Sequence, residues 1–139
     1  MIEIIAGDKG KGKTKFLITK ANDSALLSSG SIVYLDKNNK HMYELSNRIR
    51  MICMPEYHID NFSMFCGFLY GIASQNHDLE WLFLDSFLTI AHVEPEELET
   101  AVAFLRDFSD SRNLNIVLSV AVGQESLSQT LQPYVSISL

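Results

Sequence analysis

Residues Gly7 to Lys15 read GDKGKGKTK, three glycines and four lysines in nine positions, set between the apolar run Met1–Ala6 and the pattern Phe16, Leu17, Ile18. An apolar strand that breaks into glycines and resumes as a helix leaves few folds open. Glycine tolerates the backbone angles at which successive N–H groups turn toward one point. A helix starting near Lys13 adds its own unpaired N–H groups and its positive end. A turn of this kind, closed by lysine, suits a phosphate chain. It is also the one dense basic cluster in a chain of formal net charge −6.

Beyond the turn, strands and helices alternate. Ile32–Leu35, ending in Asp36, predicts a second strand, and IRMICM, stopped by Pro55, a third. Trp81–Leu84 is continuously apolar and ends in Asp85, as suits a strand covered on both faces. NIVLSVAV from Asn115 predicts a fifth strand and YVSISL from Tyr134 a sixth. Helices are expected over Gly12–Ala21, Asn61–Ser74 and Glu94–Phe108, with shorter ones within Asn38–Arg48 and Glu125–Leu131. Asn22–Ser31 reads as a loop. Leu98, Ala101, Val102, Leu105 and Phe108 form the buried stripe expected of the Glu94 helix. This order predicts a three-layer α/β fold with a mostly parallel sheet of five to six strands and helices on both faces. Residues 1–139 are expected to form a single domain. Loops that follow strands then share one edge of the sheet, where ligands of such folds bind.

At 47% hydrophobic and 20% charged residues, the chain has the composition of a globular protein rather than a disordered one. Its acidic balance argues against nucleic acid as a partner. No run approaches the ~20 apolar residues needed to cross a bilayer, so no membrane insertion is expected. No leader-like N-terminus is visible, and a cytoplasmic location is the expectation. Cys53 and Cys66 lie in apolar runs and read as reduced core residues.

From Gly7 the turn fits G-x-x-x-x-G-K-[ST] at Gly7, Gly12, Lys13 and Thr14. In that pattern the lysine reaches the outer phosphates and the hydroxyl ligates Mg²⁺. The chain therefore resembles the P-loop NTPases, with a Walker A motif at Gly7–Thr14 and a Walker B strand, WLFLD, ending in Asp85. The resemblance implies the P-loop NTPase fold, with nucleotide contacts from Gly7, Asp8, Lys9, Gly10, Lys11, Gly12, Lys13, Thr14 and Lys15. It also implies Mg²⁺ held by Thr14 and Asp85. Strands lying between the two motifs point to the RecA-like branch, in which the fifth strand inserts between the Walker strands. Ser119 on that strand then serves as a γ-phosphate sensor or as a satisfied core hydroxyl. The order of elements is also similar to small bacterial ATP-binding proteins of the twitching-motility, PilT-like kind.

Ser86 follows Asp85 where many hydrolytic members of that branch carry glutamate. Asp36 and Glu56, which follow the second and third strands, are the remaining candidates to activate water. The chain has no N-K-x-D motif, so ATP rather than GTP is the expected nucleotide. His41, His58, His77 and His92 have no metal-binding spacing. Arg106 and Arg112 belong either to an exposed helix face or to an arginine finger. The reading is an Mg²⁺-ATP-binding protein with weak or partner-dependent ATPase activity. A non-hydrolysing nucleotide switch and, behind it, a small-molecule kinase are the alternatives. A residue donated across an interface would complete the site, so a homo-oligomer or larger assembly is the expected partner arrangement.

Overall fold

In the computed structural model, which describes residues Met1–Leu139, six strands form one all-parallel sheet. They are β1 (Ile2–Ala6), β2 (Ser31–Asp36), β3 (Ile49–Cys53), β4 (Leu79–Leu84), β5 (Asn115–Val120) and β6 (Val135–Ser138), in spatial order β3-β2-β4-β5-β1-β6. Four α-helices join them: α1 (Lys13–Leu27), α2 (Phe62–Gln75), α3 (Phe87–Ala91) and α4 (Leu98–Arg112). Parallel neighbours require crossover connections, and here the crossovers cover both faces of the sheet. The α/β architecture anticipated from the alternation of strands and helices is the one observed.

The two faces are unequal. α1 alone covers one, burying Leu17, Ile18, Ala21 and Ala25 against Ile5, Ile32, Tyr34, Phe83 and Val117. On the other face α2, α3 and α4 bury Phe65, Leu69, Phe87, Ile90 and the α4 stripe against Ile4, Leu35, Leu82, Leu84, Ile116 and Leu118. All five residues of the expected stripe, from Leu98 to Phe108, are buried. Asn61 caps α2 by accepting from the Met64 N–H at 2.9 Å. Glu94 and Glu97 form a reciprocal capping box ahead of α4.

Three local expectations need correction. α1 continues through Asn22–Leu27, where a loop was expected. Tertiary contacts hold this segment. The Arg48 guanidinium donates to the carbonyls of Ala25, Ser28 and Gly30 at 2.6, 2.7 and 2.9 Å, satisfying acceptors that a helix end leaves open. The Asn22 side chain also bridges to Glu44 O and Ser46 N. The helices expected within Asn38–Arg48 and Glu125–Leu131 reduce to single 3₁₀ turns, Met42–Glu44 and Gln124–Ser126. Cys53 and Cys66 are both free but half-buried rather than enclosed. No helix is long and apolar enough to cross a membrane.

Candidate functional site

The order of the strands assembles the site. β5 lies between β1 and β4, and β2 flanks β4 on the far side. The carboxyl ends of β1, β5, β4 and β2 therefore stand side by side. The register pairs Leu84 with Leu118 and Tyr34 with Phe83. Asp85 consequently falls beside Ser119, and Tyr34 and Asp85 emerge on the same face of the sheet, the face that α1 covers.

Asp85 is almost wholly buried, at 2% exposure, and its carboxylate is fully engaged. Oδ1 accepts from the Ser119 hydroxyl at 2.8 Å and the Thr14 hydroxyl at 3.3 Å. Oδ2 accepts from the Tyr34 hydroxyl at 2.7 Å. The Ser86 N–H donates in turn to Ser119 Oγ at 2.8 Å, so the serine relays between the main chain of β4 and its terminal carboxylate. Burial first, then the charge and hydrogen bond of Asp85, push the Tyr34 hydroxyl far above its usual pKa and keep it a donor.

The glycine–lysine loop lies above this carboxylate. Gly10 and Gly12 both take φ of +86°, with nothing within 4 Å of an added Cβ. Their need for glycine is thus torsional. Gly7 differs: its N–H donates to Val122 O at 3.0 Å, and a Cβ there would stand 3.0 Å from Leu139 Cβ. Among the loop amides, Gly7 and Lys11 find main-chain acceptors, the Lys11 N–H donating to Asp8 O at 3.3 Å. The N–H groups of Lys9, Gly10 and Gly12 and the first amides of α1 donate to no protein acceptor, and no side chain caps that helix. Lys13 Nζ donates back to Asp8 O at 3.0 Å. Its pKa is lowered by burial, against the pull of Asp85 and Asp8.

The loop is open on its inner side. A cleft of about 310 Å³ is lined by Lys9, Gly10, Gly12, Lys13 and Thr14, with Asp85 beneath. That volume sits at the lower end of the roughly 300–1,000 Å³ of small-molecule sites. Lys11, Lys15 and Asp8 are exposed outside the lining, and Gly7 is buried behind it. The opposite wall comes from Ser86 and from four residues that the sequence pattern did not single out: Lys37, Leu88, Thr89 and Ala121. Leu88 and Thr89 belong to α3, a five-residue helix too short to show a period. Ser86, which precedes it at the N-cap position, holds a left-handed φ of 54°.

Neither water-activating candidate lines the cleft, and the two differ in burial. Asp36 ends β2 next to β4, is 3% exposed, and accepts from the Lys37 N–H at 2.7 Å. Burial and the nearby charge of Asp85 push its carboxyl up to about 6. Glu56 lies in an exposed 3₁₀ turn after the edge strand β3 and does not line the cleft. Ser119 is buried and spends its hydroxyl on Asp85, the geometry of a satisfied core hydroxyl. Arg106 and Arg112 are exposed on α4 or at its end, away from the cleft.

No protein-family model matches the chain, and no curated protein matches it in sequence.

Proposed function

We propose that this chain is a P-loop protein that binds Mg²⁺-ATP by its phosphates and hydrolyses it slowly, or only when a partner completes the site. One observation carries the reading. The unpaired amides at Lys9, Gly10, Gly12 and the start of α1, together with Lys13, line an open cleft above a buried carboxylate. Amides, a helix N-terminus and an ammonium are the donors that a polyphosphate requires. The donor set beneath them is oxygen only, the Thr14 hydroxyl and the Asp85 carboxylate, which suits a hard divalent cation. Mg²⁺ takes one or two carboxylates and fills its remaining positions from phosphate and water, so the absence of any three-residue His/Cys/Asp/Glu cluster is compatible with it. Thr14 and Asp85 would hold the ion, which would neutralise charge on the outer phosphates.

Each part of the chain has a distinct task in this scheme. The loop amides bind the phosphates, and Lys13 holds the outer ones. Tyr34 and Ser119 fix the rotamer of Asp85. Asp36 feels the charge of Asp85 but is buried and does not line the cleft, so it would take a proton from water only after the site rearranges.

A non-hydrolysing switch is the second reading, and the position of Glu56 favours it. With Ser86 after Asp85 and Glu56 outside the cleft, no exposed carboxylate faces the phosphate position. Calorimetry of Mg²⁺-ATP binding to wild type and Lys13→Ala tests the binding claim. The variant should keep its fold and lose affinity sharply, and unchanged affinity would contradict the assignment. Phosphate release by the isolated chain separates the two readings, since turnover of about 1 s⁻¹ or faster would rule out a passive switch.

A further inference from the structure

A second cleft, of about 320 Å³, opens on the same edge of the sheet beyond β4. It shares Lys37 and Thr89 with the first cleft, so the two adjoin. Its floor is apolar, with Met54 and Ile90 almost fully buried. Its rim carries Lys37, His58, His92 and Asp60, all exposed.

The two histidines are unusual. His58 ends the 3₁₀ turn Met54–Tyr57 and His92 ends α3, with φ of 54° and 56°. Glycine would take that left-handed conformation with less strain. Neither ring makes a hydrogen bond or ion pair within the chain, in contrast to His41, which bonds to Glu44. Two imidazoles, a lysine and a threonine hydroxyl, none of them hydrogen-bonded within the chain, therefore surround an apolar floor. The acidic and imidazole side chains here do not converge into a metal site. Lys37 and two imidazoles outnumber the single carboxylate, Asp60, around this apolar base, and that balance matches an organic anion that has an apolar body.

We propose that this second cleft binds a small organic anion, a carboxylate or phosphate ester with a compact apolar body, next to the outer end of the first cleft. Lys37 and the imidazoles of His58 and His92 hold the anionic group, and Met54 and Ile90 receive the apolar part. This proposal goes beyond the nucleotide reading and stands on different residues, apart from the shared Lys37 and Thr89.

The test is a magnetic-resonance titration of the full chain with phenyl phosphate and with benzoate, using benzyl alcohol as the neutral control. It is run with and without Mg²⁺ and the β,γ-imido analogue of ATP. Both anions should shift the ring resonances of His58 and His92 while the analogue occupies the loop, and benzyl alcohol should not. Response to phenyl phosphate alone would make the ligand a phosphate ester, and response to benzoate alone a carboxylate. His92→Gly preserves the left-handed backbone and should weaken anion binding by about tenfold, the scale of one lost charge-assisted hydrogen bond. Its melting temperature controls for folding. Silent histidines, equal shifts with benzyl alcohol, or anion shifts confined to Gly10 and Gly12 would each overturn the proposal. Failure of the analogue to move the loop amides, with the histidines still responding, would overturn the nucleotide reading and leave this one standing.

Discussion

The hydroxyl of Tyr34 donates to Asp85 Oδ2 at 2.7 Å, inside the sheet and across from the oxygen that Ser119 and Thr14 share. Tyr34→Phe keeps the ring, which stacks on Phe83 with centroids 6.1 Å apart, and removes only the donor. A buried carboxylate oxygen then has no partner. Stability should fall by about 2 kcal/mol in urea unfolding, within the range for an orphaned buried acceptor. Mg²⁺-ATP affinity should fall with it, because the Asp85 rotamer is no longer fixed. A variant as stable as wild type would mean that the hydroxyl is dispensable to the carboxylate.

Asp36 predicts a pH dependence with a definite sign. Its carboxyl is raised from 3.8 to about 6 by burial and by Asp85. Between those values the folded state holds a proton that the unfolded state has released, so this residue's contribution to stability is complete below 3.8 and is lost as pH rises through about 6. The whole change amounts to about 3 kcal/mol. Asp36→Asn retains an acceptor for the Lys37 N–H and cannot ionise. In the absence of nucleotide and Mg²⁺, it should gain stability relative to wild type between pH 4 and pH 7 on that scale. A constant difference between the two proteins across that range would contradict the burial argument.

Two glycine-to-alanine changes should act in opposite directions. Gly12→Ala meets no atom but must hold φ near +86°, which costs about 1–2 kcal/mol. Gly67→Ala lies in the interior of α2 with open space around its Cβ and a helical backbone, and should gain about 0.5–1 kcal/mol. Thermal melts of the two variants decide this. Gly12→Ala should also weaken Mg²⁺-ATP binding, whereas Gly67→Ala should leave it unchanged.

Glu56 lies outside the cleft, so Glu56→Gln should leave the rate of phosphate release within about twofold of wild type, a barrier change of under 1 kcal/mol. A much larger loss would show that the turn after β3 reaches the phosphate when nucleotide is bound.

The loop and the alternation of strands and helices were legible because local chemistry dictates them. Glycines at φ +86° and the Leu98–Phe108 stripe leave their mark on neighbouring residues in the chain. Asp85 was legible as the end of an apolar strand. Tyr34 was not, because its role depends on register: in SIVYLD it looks like any core strand residue, and only pairing opposite Phe83 brings it diagonally to Asp85. The extension of α1 depends on Arg48, more than twenty residues later, and so escaped any local reading. α3 escaped because Phe87–Ala91 is barely more than one turn. With it went Leu88 and Thr89, two of the five residues in the wall opposite the loop.

The account depends on the phosphates, rather than the base, being what the loop holds. The most direct measurement is the set of backbone amide shifts of Lys9, Gly10, Gly12, Lys13 and Thr14 on adding Mg²⁺-ATP and, separately, adenosine. Mg²⁺-ATP should move these amides strongly, and adenosine should leave them in place. Unmoved amides with Mg²⁺-ATP, or equal movement with adenosine, would contradict the account.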